Sequence, residues 1–219
     1  MMSARAGTTA DLVADDGVIV GYPSLRSEVE GSALGERARL RSGTVIYAGA
    51  VIGRGFQTGH HVVIREETWI GDDVSIWSNS VVDYGCIIGS RTKIHCNCYI
   101  AQYTVMEEDV FLAPGVTIAN DLFPGDPTSA KAMAGPFIRA GAQIGVNATI
   151  LPYVTVGTGA MVGAGAVVTR DIPDGMLAYG CPAVVTGRVG DLRDISRRVE
   201  ALGANAAMVR SRARPQKGG

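Results

Sequence analysis

The sequence predicts an all-β fold, a parallel β-helix, and three observations carry that prediction. An aliphatic residue recurs at every sixth position from Leu34 through Ile46, Ile64, Ile76 and Ile100 to Ile118, and again from Ile138 to Val168. Thr58 is the one exception to that column. Four residues after each lies a second column of small residues or valine, such as Ala50, Val62, Val74, Cys86, Cys98 and Val116. Between the columns, the fourth position of a repeat is often Gly, Asn or Asp (Gly49, Asp73, Asn79, Asn97, Asn147, Gly165), the types that tolerate the left-handed backbone of a tight corner. A period of six is neither 3.6 nor 2, so helix and ordinary hairpin are excluded. A short strand plus a turn fits, with the large and small residues facing inward and each coil pairing with the next.

The chain divides at residues 1–33, 34–182 and 183–219. In the first segment Gly17–Pro23 reads as a strand or an opening coil that caps the prism. The second is the ladder itself. Its column fails at Thr58, beside bulky Phe56 in the small column, and the two read as compensating volumes. The ladder is broken after Ile118 and resumes two residues out of register at Ile138. The residues between predict a protruding loop at 121–136, far longer than a corner turn, and long ordered loops are usually functional. After Pro182 the stretch Val189–Val209 reads as a C-terminal helix, followed by a short basic tail.

Composition bounds the function. The 219 residues suit a single domain, and a net charge of −1 does not suggest a nucleic-acid or membrane-surface partner. The N-terminal stretch lacks the pattern of a signal peptide, and no apolar run approaches the roughly 18 residues of a membrane span, so the expectation is a soluble, cytoplasmic protein. Cys86, Cys96, Cys98 and Cys181 form no CxxC pair and read as reduced thiols. Cys86 and Cys98 fall in the inward column and read as core residues.

The pattern from Leu34 to Pro182 resembles the hexapeptide-repeat acyltransferases. That resemblance implies a left-handed helix of about seven triangular coils, assembled as a homotrimer with active sites between prisms. The segment "VFLAPGVTIANDLFPGD" (Val110–Asp126), together with Arg41–Glu66, looks like sugar-nucleotide N-acetyltransferases. These acylate the amine of a nucleotide-linked amino sugar with acetyl-CoA. The run Ile144–Pro173 resembles the family's acyl-CoA segment, and "YGCPAVVTGRV" (Tyr179–Val189) the exit that follows it. The resemblance therefore implies acetyl-CoA as co-substrate, no metal, and a UDP- or dTDP-linked amino sugar as acceptor. It places the donor's pantetheine arm along Val146, Ala164 and Thr169. Arg170 and Arg188 are candidates for its phosphates, a task suited to the guanidinium fork.

Stacking by 18 puts His61, Asn79 and Asn97 on one corner, beside His60, Ser78 and Cys96. It also offers Arg65 and Asp83 as an outward salt bridge. His60 and His61 are candidates for acceptor binding, as are Asp121 and Glu107. Asn97, His95 and Asn120 are the candidates to orient the reacting groups, because the resembling enzymes carry an Asn in this coil facing the acceptor amine. Other chemistries fit less well. Family O-acetyltransferases carry a His near the loop in a segment like "THP", where this chain reads "NDLFP". A zinc carbonic anhydrase on the same helix needs three His ligands, and the third would fall on Ile100. A non-catalytic scaffold would not need the intact "GAGAVVTRDIP" run, and no phosphate-binding loop on a βαβ unit supports a nucleotidyltransferase.

Overall fold

The computed structural model describes residues 11–26 and 28–193. They wind into a left-handed parallel β-helix of about 8 turns. Two-residue strands stack into three flat faces of ten, eight and seven strands. Within the regular coils each strand pairs in parallel with the one 18 residues later, as Ser75–Ile76 does with Lys93–Ile94. The ten-stranded face holds Ser75, Lys93 and Phe111. The eight-stranded face holds Val81, Tyr99 and Thr117, and the seven-stranded face Trp69, Ile87 and Val105. The chain turns a first corner from the ten- to the eight-stranded face, a second from the eight- to the seven-stranded face, and a third back to the ten-stranded face.

The two inward columns form the core. Ile46, Ile64, Ile76, Ile94 and Ile100 are 0% exposed, and so are Val62, Val74, Cys86 and Ala148 from the small column. Fully burying such an aliphatic side chain contributes roughly 1.5–3 kcal/mol, and the coil-on-coil repeat multiplies that term. Phe56 is fully buried, as the volume argument at Thr58 requires. The hydroxyl at Thr58 is also satisfied: it shares a 2.9 Å hydrogen bond with Thr44 and accepts the Arg41 N–H at 3.0 Å. Burial pushes the Cys86 thiol up to about 12 and the Cys98 thiol up to about 11, which keeps both protonated and inert.

Almost every corner carries one residue at positive φ. Asn79, Asn97 and Asn147 have φ of 61°, 59° and 55°, but His61, Glu67, Arg91, Tyr103 and Tyr153 take the same conformation. The left-handed region disfavours such side chains by roughly 1–2 kcal/mol. A ladder of backbone bonds holds them there, as when Asn97 N–H donates to the Ser78 carbonyl at 3.0 Å.

The helix begins earlier than the aliphatic column. Strands Val13–Ala14 and Ile19–Tyr22 already pair with Arg39–Leu40 and Val45–Tyr47, so residues before Leu34 form an opening coil. The interruption after Ile118 is a pure insertion into one coil. Thr117 pairs with Thr149 rather than with residue 135, and the apolar ladder closes beneath the loop without a gap. After the last coil, Met176–Tyr179 pairs antiparallel with Val184–Arg188, and Val189–Arg193 is a 3-10 helix. The rest of the expected C-terminal helix lies outside the described residues. Among the described residues no helix is long and apolar enough to cross a membrane.

Candidate active site

The first corner gathers most of the residues singled out in the sequence. A continuous backbone ladder runs from Ser42 through His60, Ser78, Cys96, Pro114 and Val146 to Ala164. Each carbonyl up to Val146 accepts the N–H of the left-handed residue on the next coil: His61, Asn79, Asn97, Gly115, Asn147 and Gly165, at 2.8–3.0 Å. Val146 therefore stands two coils from Cys96, and Ala164 three. At roughly 4.8 Å per coil these are distances of about 10 and 14 Å.

His95 enters this corner directly from strand Lys93–Ile94. Its ring leans on Phe111, with centroids 5.0 Å apart. Among the described residues the ring nitrogens of His95 have no hydrogen-bond partner. Asn97 is exposed and its amide is likewise uncommitted. His60 differs, because its Nδ1 lies 2.8 Å from the Ser42 hydroxyl. His61 lies flat over Gly43, where any side chain would collide with the imidazole. At the far end of the column the ring of Tyr179 covers Gly163 just as tightly, and Val146 and Ala164 present small exposed surfaces beside it.

The second corner is built differently. Here the sequence reading found the Arg65–Asp83 pair, at 3.5 Å, and missed the network around it. Glu66 is 0% exposed. Both its oxygens are held by the Arg65 guanidinium, at 2.8 and 2.9 Å, and Arg26 lies 3.7 Å away. Burial opposes the Glu66 carboxylate, but the hydrogen bonds from Arg65 and Ser24 outweigh it and hold its pKa below the ordinary value. Asp83 accepts from the Tyr99 hydroxyl at 2.9 Å and the Gln102 amide at 2.7 Å. Burial and the Asp83 carboxylate push the Tyr99 phenol up to about 12. Gln102 in turn accepts from the Asn120 amide at 2.7 Å. Glu66, Tyr84, Gln102 and Asn120 are spaced by 18, and that spacing was the available signal.

Asn120 thus anchors the root of the loop. Its amide NH₂ is engaged by Gln102 and by Met133 Sδ at 3.6 Å, and its carbonyl accepts the Ala134 N–H at 3.0 Å. Asp121 is also engaged locally, accepting from the Phe123 N–H and the Ser129 hydroxyl. Leu122 and Phe123 project from the loop, 52% and 69% exposed. Thr169 and Arg170 lie on this second corner, two coils beyond Asn120. Both are exposed, and Arg170 has no ion-pair partner among the described residues. Glu107 stands on the third corner, where its carboxylate caps the Ala140 N–H at 2.8 Å. Arg188 ends the antiparallel hairpin. One chain therefore aligns His60, His61, His95, Asn97, Val146 and Ala164 along one corner, over five coils, and separates them from Asn120, Asp121, Thr169 and Arg170 by a full face.

Residues 49–84 and 135–170, both within the ladder, match the family model for the bacterial transferase hexapeptide, a motif of six repeats. These two stretches carry the chain's likeness to that family. Over 52 residues it is 56% identical to a dTDP-3-amino-3,6-dideoxy-α-D-galactopyranose 3-N-acetyltransferase of Aneurinibacillus thermoaerophilus, covering 24% of this chain and 27% of that protein. It is 34% identical over 86 residues to a galactoside O-acetyltransferase of Lactococcus lactis, 37% of this chain and 42% of that protein. The chain thus spans between about a quarter and two fifths of these curated relatives' lengths. The LpxA structure of Acinetobacter baumannii shares the fold at a TM-score of 0.53 and 16% identity, over 84% of this chain and 78% of that one.

Proposed function

We propose that the protein is an acetyl-CoA-dependent N-acetyltransferase that acylates the amine of a UDP- or dTDP-linked amino sugar. The observation that carries this reading is the 56% identity over 52 residues to an enzyme named for that reaction. The galactoside O-acetyltransferase match is longer but weaker, at 34%, and the loop carries no histidine to serve a hydroxyl acceptor. In this reading the pantetheine arm of acetyl-CoA lies along the first corner, where Val146 and Ala164 let it approach the backbone.

The acceptor amine then meets the thioester near Asn97 and His95. An amine with a pKa near the α-amino range of about 7.7–8.0 is partly neutral at pH 7 and needs little activation. Its lone pair attacks the thioester carbonyl carbon, the C–S bond breaks, and the departing CoA thiolate takes the surplus proton of the new ammonium. Alignment alone supplies several kcal/mol.

The division of candidates between two corners supports a homotrimer in which the first corner of one prism faces the second corner of the next. Thr169, Arg170 and the loop would then close on the donor from the neighbour. The face that joins the two corners carries Val45, Val63 and Val81 outward, half-buried, which suits a subunit contact. A thiol-release assay with acetyl-CoA tests the reading against UDP- and dTDP-amino sugars and their hydroxyl counterparts. Turnover confined to the hydroxyl sugars would replace it with O-acylation.

A further inference from the structure

We infer that a concavity on the ten-stranded face, opening from the third corner and reaching towards the first, is the acceptor's site, and that Lys93 there holds a phosphate of the nucleoside diphosphate. The inference rests on the proposed amino-sugar acetyltransferase reading and gives its acceptor a place. The concavity measures about 610 Å³ and is lined by Lys93, Phe111 and Gln143 from three successive strands, with Asp73, Arg91 and Asp109 on its third-corner rim. That volume lies within the usual few-hundred to one-thousand Å³ of a small-ligand site.

Three features give it a direction. Arg91 is fully occupied by Asp109 in a two-point ion pair at 2.8 and 2.7 Å, so that edge of the rim is neutralised. Lys93 is exposed, and among the described residues its ammonium has no ion pair or hydrogen bond. It is therefore the free cation of the site. Asp73 repels an anion from the third-corner edge, and Lys93 lies two residues beyond Arg91, towards the first corner. A phosphate is thus drawn to that side.

The second feature is Phe111. Its ring is at once a wall of the concavity and the contact of His95, at 5.0 Å. Side chains two apart on a strand share a face, and about 6.6 Å separates them, so Lys93 and His95 flank the same aromatic surface. A ligand whose phosphate sits on Lys93 and whose apolar ring face covers Phe111 has its far end at His95 and Asn97, where the proposed chemistry occurs. The third is Gln143, whose amide offers a donor and an acceptor to sugar hydroxyls. The anion, ring and hydroxyls match a nucleotide-linked sugar, and the acyl donor's corner stays clear.

Calorimetric titration of the full-length protein tests this with dTDP, UDP, the matching unphosphorylated nucleosides and inorganic phosphate. The expected result is that a nucleoside diphosphate binds and the nucleosides bind far more weakly. Lys93→Ala should weaken the diphosphate about tenfold, the loss of one charge-assisted contact, and Lys93→Arg should restore most of it. Acetyl-CoA affinity and melting temperature should be unchanged, since Lys93 is on the surface and off the donor's corner. Equal diphosphate affinity in wild type and Lys93→Ala overturns the site, as does an equal loss of acetyl-CoA affinity, and so does a wild-type protein that binds neither diphosphate. Failure of the functional reading looks different: diphosphate binding persists and depends on Lys93, but no amino sugar is acetylated.

Discussion

The first and second corners of the prism have the same backbone and the same 18-residue period, yet they use side chains in opposite ways. On the first, His95 and Asn97 stand uncommitted above the small residues Val146 and Ala164. On the second, Arg65, Glu66, Asp83, Tyr99, Gln102 and Asn120 satisfy one another in an unbroken chain from the buried carboxylate to the root of the loop. Free polar groups are available for chemistry, and mutually bonded ones fix geometry. The fold makes both from one repeat because the corner positions are structurally equivalent and only their residues differ.

Removing the loop separates the two roles most sharply. Replacement of Asp121–Pro136 by two glycines, which restores the 18-residue step, should take acetyl transfer to background while the protein stays folded. The ladder pairs across the insertion at Thr117–Thr149, and the Asp121–Ser129 and Asn120–Met133 bonds serve only the loop and its root. Circular dichroism and a transfer assay check the two halves. Retained transfer would make the loop ornamental.

The next effect should be on stability. Arg65→Ala strips the Glu66 carboxylate of its two-point partner inside the fold, and losing one member of a buried pair costs about 3–5 kcal/mol. Urea unfolding at fixed protein concentration measures it. The folded pKa of Glu66 is lowered from 4.5, so its contribution is complete above about pH 4.5 and is lost as the pH falls through the lower folded value. Glu66→Gln should flatten the melting temperature on that acid side. A network that is merely decorative would show neither effect.

How much of this was legible in the sequence differs between the corners. The ladder was readable because burial acts on every sixth residue alike, and even the Thr58 exception came with its compensating Phe56. The first corner was readable in part, since stacking by 18 places His61, Asn79 and Asn97 together without side-chain geometry. Glu66 was not, because an outward position on a corner normally faces water. Its burial depends on Arg65 beside it and on Arg26 and Ser24 closing over it from the opening coil. Asn120 was read as a group for the substrate, and only its rotamer reveals the bonds to Gln102 and Met133. Position follows from period, whereas partnership depends on side-chain length and direction.

On the first corner, His95→Ala should lower kcat by less than about 100-fold, below the upper range of 10²–10⁴ for a general base. An amine acceptor needs orientation more than deprotonation. His60→Ala and His61→Ala should be milder still, because one is engaged with Ser42 and the other lies against Gly43. A 10⁴-fold loss at any of the three, with folding and acetyl-CoA binding intact, would assign that histidine as an essential base.

The comparison is sharpest where the corners meet across subunits. If each cleft takes its first corner from one prism and its second from the next, a loop-deleted chain and a His95→Ala chain can repair each other. The deleted chain supplies an intact His95, and the His95→Ala chain supplies an intact loop. Random assembly from equal amounts makes about one cleft in four wild type at both corners, because each corner is drawn independently with a chance of one half. Co-expressed mixtures should then show about a quarter of wild-type transfer, well above either variant alone. If both corners instead served one site within a chain, no cleft would be whole, and the mixture would give only the average of the two variants. The readout is specific rate at saturating acetyl-CoA with subunit ratio fixed by affinity tags. The two arrangements differ there by more than tenfold if His95→Ala alone falls near its expected lower bound.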